Sequence, residues 1–138
     1  MLSTDPSMIR VLVVDDQAAM RSIIKRLLNQ SGICNVDQAP NGEEALKRLR
    51  NPRIKDPDVI ISDLHMDGID GIELCNTIRR DERIRERAIP VLILTGDEDD
   101  LIHEVSQQVG AVRIMTKPIS ADELFSNIQD AIGISLGV

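Results

Sequence analysis

The residues best suited to chemistry in this sequence are polar side chains that directly follow short, apolar, β-branched runs. They are Asp15, Asp16, Asp63, Thr95 and Lys117. Asp63 stands out because the run 59–61 before it has the composition of a strand buried on both faces. A carboxylate that leaves a sheet at the carboxyl end of such a strand is well placed to act as a nucleophile or a metal ligand.

The five residues form a chemically consistent set if they lie together. Three carboxylates on one sheet edge repel each other unless a cation lies among them, and Mg²⁺ suits such oxygen ligands. Lys117 would supply a positive charge for an anion, and Thr95 would supply a hydroxyl donor. A carboxylate nucleophile, Mg²⁺, a lysine and a hydroxyl together predict a phosphoryl-acceptor site.

Each of these residues also has a purely structural interpretation. Asp15 or Asp16 could cap a helix, Asp63 could start a turn, Thr95 could be an N-cap, and Lys117 could be a surface lysine. The shared site is favoured because four strand ends would otherwise carry these residues by coincidence.

The chain around these residues predicts five strands alternating with five helices. We expect strands at 9–14, 34–39, 59–61, 88–94 and 111–115, and helices at about 18–30, after Asn41 to 50, after Asp70, at 99–109, and after the capping box that begins at Ser120. The mixed-charge run 79–87 is interpreted as a solvated helix end, and the acidic run 97–100 as helix N-terminal charge. Alternation of this kind predicts an α/β fold, doubly wound, with a parallel sheet and helices on both faces.

Composition limits the possibilities further. The chain has 138 residues, 42% of them hydrophobic, which suffices for one domain, predicted at 9–132 between a lead-in at 1–8 and a tail at 133–138. A net charge of −7 and the lack of Trp and Tyr argue against nucleic acid or an anionic membrane as partners. The two cysteines lack metal-ligand spacing and are expected to be reduced thiols. Because no run is long enough to span a membrane and no signal peptide is evident, we expect a cytoplasmic protein.

Four segments together resemble the receiver domains of two-component response regulators: 13–16, 61–68, 94–96 and 116–118. The resemblance covers about residues 9–132 and is closest to chemotaxis-regulator-like, single-domain members. It implies a flavodoxin-like (βα)₅ fold with strand order 2-1-3-4-5.

The resemblance also implies roles for the site residues. Asp63 would accept a phosphoryl group from a histidine kinase or a phosphotransfer protein. Mg²⁺ would be bound by Asp16, Asp63 and the main-chain carbonyl of His65, with Asp15 assisting through water. The remaining implied contacts of the phosphoryl group are with Thr95 and Lys117.

Output would follow from the added phosphoryl charge, which acts as the switch input. The downstream partner is expected to be a protein that binds the face formed by the fourth helix, fifth strand and fifth helix, since no DNA-binding effector domain follows in the sequence.

Two positions depart from the family pattern. Asp67 stands where proline is common, and Ile114 stands where an aromatic residue usually acts as a rotamer switch together with Thr95, so the coupling here cannot use an aromatic flip.

These features favour a signalling domain that catalyses only its own phosphorylation and dephosphorylation. It could be a diffusible regulator, a phosphorelay intermediate or a fragment of a longer protein. The alternatives are a small phosphatase that forms an aspartyl phosphate, and a receiver-like scaffold that no longer takes phosphate. The phosphatase lacks support because no second Asp lies two residues after Asp63.

Overall fold

The fold is built on one parallel sheet of five strands. In the computed structural model, residues 3–96, 104–105, 107–111, 113–133 and 135–136 are described. The strands are β1 (Arg10–Val14), β2 (Asn35–Ala39), β3 (Val59–Asp63), β4 (Val91–Thr95) and β5 (Arg113–Thr116). They lie in the order β2-β1-β3-β4-β5, and all neighbouring strands are parallel. The predicted doubly wound, flavodoxin-like fold and its strand order are therefore confirmed.

Four helices flank the sheet in the described part of the chain. They are α1 (Ala18–Gln30), α2 (Gly42–Arg50), α3 (Gly71–Arg80) and a C-terminal helix (Ala121–Ile132). Residues 104–105 and 107–108 are also helical and belong to the predicted fourth helix. The rest of that prediction, including the acidic run 97–100 and His103, lies outside the described residues.

Side chains alternate along the strands and so build a core on each face of the sheet. In β1, Leu12 and Val14 pack on the side covered by α2 and α3. Val11 and Val13 pack on the other side, covered by α1 and the C-terminal helix. The prediction of helices on both faces is confirmed.

The helix ends follow from local hydrogen bonds that the sequence predicts. Asn41 Oδ1 accepts from the Glu44 N–H at 2.8 Å at the start of α2. Ser120 Oγ accepts from the Glu123 N–H at 3.1 Å at the start of the C-terminal helix. Each bond satisfies a donor that has no partner within the first helical turn.

Some predicted details differ from the structure. The helical spacing of five apolar residues in α1 predicts that all of them face the core: Met20, Ile23, Ile24, Leu27 and Leu28. Ile23 does not, because its exposed fraction is 46%. β4 begins at Val91 rather than at residue 88, since the chain before it turns, with the Ile89 N–H donating to the Glu86 carbonyl at 3.4 Å. The run 79–87 is more than a solvated helix end, because Arg79 donates to the carbonyls of Arg87, Ile89 and Gly110.

The ends of the chain contain a feature that the sequence did not predict. Ser3–Thr4 pairs in parallel with Ser135–Leu136, and Pro6–Met8 forms one turn of 3₁₀ helix between that pair and β1. Among the described residues, no helix is both long and apolar enough to cross a bilayer.

Candidate functional site

Strand register brings the predicted residues to one edge of the sheet. Val14 lies opposite Ser62, so Asp15 and Asp63 leave β1 and β3 at the same level. Thr95 lies opposite Thr116, so Lys117 follows directly at the end of β5. Residues far apart in sequence therefore become neighbours because the strands are parallel and in register.

The three predicted carboxylates form a cluster at this edge. One carboxylate oxygen from each of Asp15, Asp16 and Asp63 lies within 4.8 Å of the other two. Asp15 is buried, Asp63 is partly buried and Asp16 is exposed. The cluster thus opens to solvent on the Asp16 side and is closed by the protein on the Asp15 side.

Asp15 is the buried member and is incompletely hydrogen-bonded. Its Oδ1 accepts from the Gln17 N–H at 2.9 Å, whereas its buried Oδ2 has no hydrogen-bond partner among the described residues. Burial raises the pKa of Asp15, and the nearby carboxylate of Asp63 raises it further, while Lys117 acts in the opposite direction. A buried, unpartnered carboxylate oxygen beside two further carboxylates fits a hard divalent cation such as Mg²⁺. The Asp cluster could therefore hold this metal.

Lys117 contacts the central carboxylate directly. Its Nζ lies 2.9 Å from Asp63 Oδ1, and both side chains are largely shielded from solvent. The main-chain N–H of Lys117 donates to the Thr95 carbonyl at 2.8 Å, which ties the end of β5 to the end of β4. Lys117 is therefore not an isolated surface lysine, which was the purely structural interpretation of this residue.

The other predicted residues occupy different parts of the edge. Thr95 is buried at the end of β4, and its exposed fraction is 1%. His65 is exposed in the loop after Asp63. Ile114 lies within β5 opposite Ile93 and packs against the core on the α2 and α3 side, so it belongs to the sheet rather than to the carboxylate cluster.

Helix capping does not account for Asp15 and Asp16. The N-cap residue of α1 is Gln17, and its side chain makes no capping hydrogen bond. Asp15 instead bonds the backbone two residues on, as in an Asx-turn, with one of its two oxygens. Asp16 Oδ2 accepts from the Asp67 N–H at 3.0 Å, which joins the β1 loop to the β3 loop.

Close packing fixes the loop that follows Asp63. A Cβ on Gly71 would lie 2.6 Å from the Asp63 carbonyl oxygen, and the Gly71 N–H donates to Leu64 O at 2.9 Å. Gly68 has φ +81°, and a Cβ there would lie 2.9 Å from a Glu43 carboxylate oxygen. Glycine is therefore required where α3 and α2 approach this loop.

Two contributors to the site were missed by the sequence analysis. One is the main-chain N–H of Asp67, which no pattern of side chains reveals. The other is Arg21, whose Nη1 donates to the main-chain oxygen of Asp15 at 2.6 Å. A signal for Arg21 was present, since this charged residue falls on the same helical face as Ile24 and Leu28.

Comparison with known proteins agrees with this arrangement. The family model for the response regulator receiver domain matches residues 11–129. The chain therefore belongs to the family of response regulator receiver domains. Such domains act in two-component phosphorelay signalling rather than as classical enzymes, and they interact with histidine kinases and downstream targets.

The relatives differ in how much of their own length this chain covers. The chemotaxis protein CheY of Pseudomonas aeruginosa is 36% identical over 121 residues, covering 87% of this chain and 93% of that protein. The alkaline phosphatase synthesis transcriptional regulatory protein PhoP of Bacillus subtilis is 32% identical, but the match covers only 47% of it. The structure of the Vibrio cholerae chemotaxis protein CheY4 superposes with a TM-score of 0.77 at 29% identity, covering 89% of this chain and 98% of that one.

Proposed function

We propose that this protein is a phosphorylatable receiver in which Asp63 accepts a phosphoryl group from a histidine kinase or a phosphotransfer protein. The observation that carries the proposal is the 2.9 Å contact between Lys117 Nζ and Asp63 Oδ1 beside the cluster of three carboxylates. A nucleophilic carboxylate, a cation at its side and oxygen ligands for a metal are the components of phosphoryl transfer.

In the transfer step, an Asp63 carboxylate oxygen attacks the phosphorus of the donor phosphohistidine. The new O–P bond forms as the P–N bond breaks, and the imidazole leaves with the electron pair of that bond. Because a carboxylate has two oxygens, one can remain near Lys117 while the other attacks. Lys117 then pairs with the phosphoryl oxygens, whose charge replaces that of the free carboxylate.

Mg²⁺ would be held by Asp15, Asp16 and Asp63, with the main-chain carbonyl of His65 as a further ligand. When bound, it would neutralise the negative charge that gathers between the carboxylates and the phosphoryl group. The unpartnered Oδ2 of Asp15 supports this assignment, because a cation would remove both its unsatisfied state and the repulsion among the carboxylates.

Thr95 is the proposed link from the site to the output surface. From its buried position at the end of β4, its hydroxyl would turn to hydrogen-bond a phosphoryl oxygen and draw the following loop inward. Ile114, on the neighbouring strand, would transmit the change by repacking of an aliphatic side chain, since it has no ring to flip.

The proposed output face is formed by the fourth predicted helix, β5 and the C-terminal helix. Its described part is held together by Arg113, whose Nη1 donates to Asn127 Oδ1 at 3.1 Å and to Asp130 Oδ2 at 3.4 Å.

We further propose that residues 9–132 form the receiver domain, that 1–8 and 133–138 flank it, and that the protein acts in the cytoplasm.

The decisive experiment is phosphorylation by acetyl phosphate, measured by intact mass spectrometry with and without Mg²⁺. We expect a Mg²⁺-dependent phosphoryl adduct on the wild type, and none on Asp63→Asn. The matched control is Asp122→Asn, an exposed residue on the C-terminal helix, which should be modified like the wild type. An adduct that persists in Asp63→Asn, or no adduct from either acetyl phosphate or a phosphorylated kinase, would refute the proposal.

A further inference from the structure

Arg21 is a charged residue on the inward-facing side of α1. It precedes Ile24 and Leu28 by three and seven residues, and both of these are buried. The Arg21 side chain is itself partly buried. A guanidinium in such a position requires hydrogen-bond acceptors, because an unpaired buried charge is costly.

The acceptors of Arg21 lie at the metal-binding edge. Nη1 donates to the main-chain oxygen of Asp15 at 2.6 Å, and Nε donates to Gln38 Oε1 on β2 at 3.1 Å. The Asp15 carbonyl belongs to the peptide group that joins Asp15 to Asp16. Arg21 therefore contacts the peptide group that links the two acids.

The direction of this carbonyl is set by ψ of Asp15, which also sets where Asp16 begins. A change in ψ of Asp15 alone would move Asp16 relative to Asp15 and turn the carbonyl away from Arg21, while the Asp15 N–H stays bonded to the Ala39 carbonyl at 3.2 Å. The sheet thus holds Asp15 on its N-terminal side, and Arg21 holds the carbonyl on its C-terminal side. Gln38 fixes the guanidinium in turn, so the arrangement depends on α1, β1 and β2 together.

We propose that Arg21 is a positioning residue that orients the Asp15–Asp16 peptide and so prepares the acidic pair to bind Mg²⁺. The inference rests on the proposed function, which makes this pair metal ligands. It concerns the main chain between the acids, and it does not require Arg21 to contact the metal or the phosphoryl group.

The test compares Mg²⁺ binding to wild type, Arg21→Met and Arg26→Met by isothermal titration calorimetry. Arg26 is an exposed arginine on the same helix and serves as the matched control. We expect Arg21→Met to bind Mg²⁺ about tenfold more weakly, the lower end of the effect of residues that orient metal ligands. Arg26→Met should bind like the wild type, and Arg21→Lys should recover part of the affinity because it keeps one donor for the carbonyl.

Two further measurements separate positioning from general stability. Circular dichroism in EDTA should show that Arg21→Met retains the native spectrum. Its phosphorylation rate should return to the wild-type value at saturating Mg²⁺, which loss of folded protein could not explain. Gln38→Met, which removes the acceptor of Arg21 Nε but keeps the Asp15 carbonyl as the acceptor of Nη1, should weaken Mg²⁺ binding in the same direction by a smaller factor.

The possible failures are distinguishable. If the wild type and Arg21→Met bind Mg²⁺ equally well, this inference is wrong and the proposed function stays intact. A wild type that does not bind Mg²⁺ at all would overturn both. If Arg21→Met does not fold, unchanged affinity in both Arg21→Lys and Gln38→Met would refute the positioning role.

Discussion

The strongest prediction concerns Asp15, whose charge should destabilise the metal-free protein. Asp15→Asn keeps the acceptor for the Gln17 N–H and replaces the unpartnered Oδ2 with an NH₂ group. The substitution removes a buried negative charge beside Asp16 and Asp63, and it adds donors that can bond their oxygens. We therefore expect Asp15→Asn to be more stable than the wild type in EDTA.

The size of the effect follows from the geometry. Two unit charges at the 4.8 Å limit of the cluster repel by about 3 kcal/mol at an effective dielectric constant of about 20. Solvent around the exposed Asp16 and the cation of Lys117 offset part of this repulsion. We expect a net gain of about 1–3 kcal/mol in the free energy of unfolding, consistent with the cost of an unsatisfied buried charged group. At roughly 4 °C per kcal/mol for a domain of this size, the melting temperature should rise by about 4–12 °C.

The assay is thermal unfolding followed by far-ultraviolet circular dichroism, since the chain has no Trp for fluorescence. The order should reverse as MgCl₂ is added, because an ion that binds only the folded state raises the stability of the wild type, whereas Asp15→Asn lacks one of the three carboxylates proposed to hold it. The control is Glu86→Gln, which removes an exposed charge at the opposite edge of the sheet and should not change the response to Mg²⁺. A folded Asp15→Asn that melts below the wild type in EDTA would contradict the reasoning.

Three further predictions test other contacts. Lys117→Met should slow phosphorylation by acetyl phosphate about 100-fold or more at saturating Mg²⁺, because it removes charge stabilisation of the transferred group, and a rate within a few-fold of wild type would contradict its role. Gly71→Ala should lower the free energy of unfolding by about 1–3 kcal/mol, since its Cβ would meet the Asp63 carbonyl, whereas Gly96→Ala, with nothing within 4 Å, should be tolerated in the same urea titration. Hydrogen bonds from Arg83 hold the pKa of Asp81 well below its usual range, so its stabilising effect should be complete above about pH 4 and be lost at lower pH. Asp81→Asn should therefore be less stable than wild type at pH 7, and urea unfolding should show the difference shrinking as the pH falls below 4; a difference independent of pH would refute this assignment.

The sheet and the site edge could be predicted because their signals are local. Apolar runs predict the strands, and segments with helical periodicity lie between them. This alternation of strands and helices predicts that the strands are parallel. Once strands are parallel, every residue that follows a strand reaches the same edge. Asp63 and Lys117 could therefore be placed together although 53 intervening residues separate them in sequence.

Ile23 shows where periodicity is insufficient. Five apolar residues of α1 fit helical spacing, yet Ile24 and Leu28 alone among them are fully buried. At about 100° per residue, Ile23 lies roughly 120° from the direction midway between these two, outside the stripe that faces the core. A helix with five candidate positions can bury fewer of them than the pattern suggests when the neighbouring surface is narrow.

The arginines show a second limit, because their partners include main-chain carbonyl groups of other loops. Arg79 reaches the carbonyls of residues 87, 89 and 110, and Arg85 Nη2 donates to Ile54 O at 3.1 Å and to Asp56 Oδ1 at 2.9 Å. Nothing in the local charge pattern distinguishes such an arginine from a solvated one. The distinction arises only when the tertiary fold brings unpaired carbonyl groups within reach.

The loop after Asp63 shows that a departure from a family pattern can matter through the main chain rather than the side chain. The sequence resemblance draws attention to the extra carboxylate of Asp67, but the structure shows its N–H donating to Asp16 Oδ2 at 3.0 Å. A proline at this position has no N–H and could not make that bond. Asp16 is thus held at its carboxylate by the Asp67 N–H and at its main chain by the peptide group whose carbonyl accepts from Arg21. The exposed member of the acidic cluster is therefore held by main-chain contacts from two loops and a helix, although its side chain faces solvent.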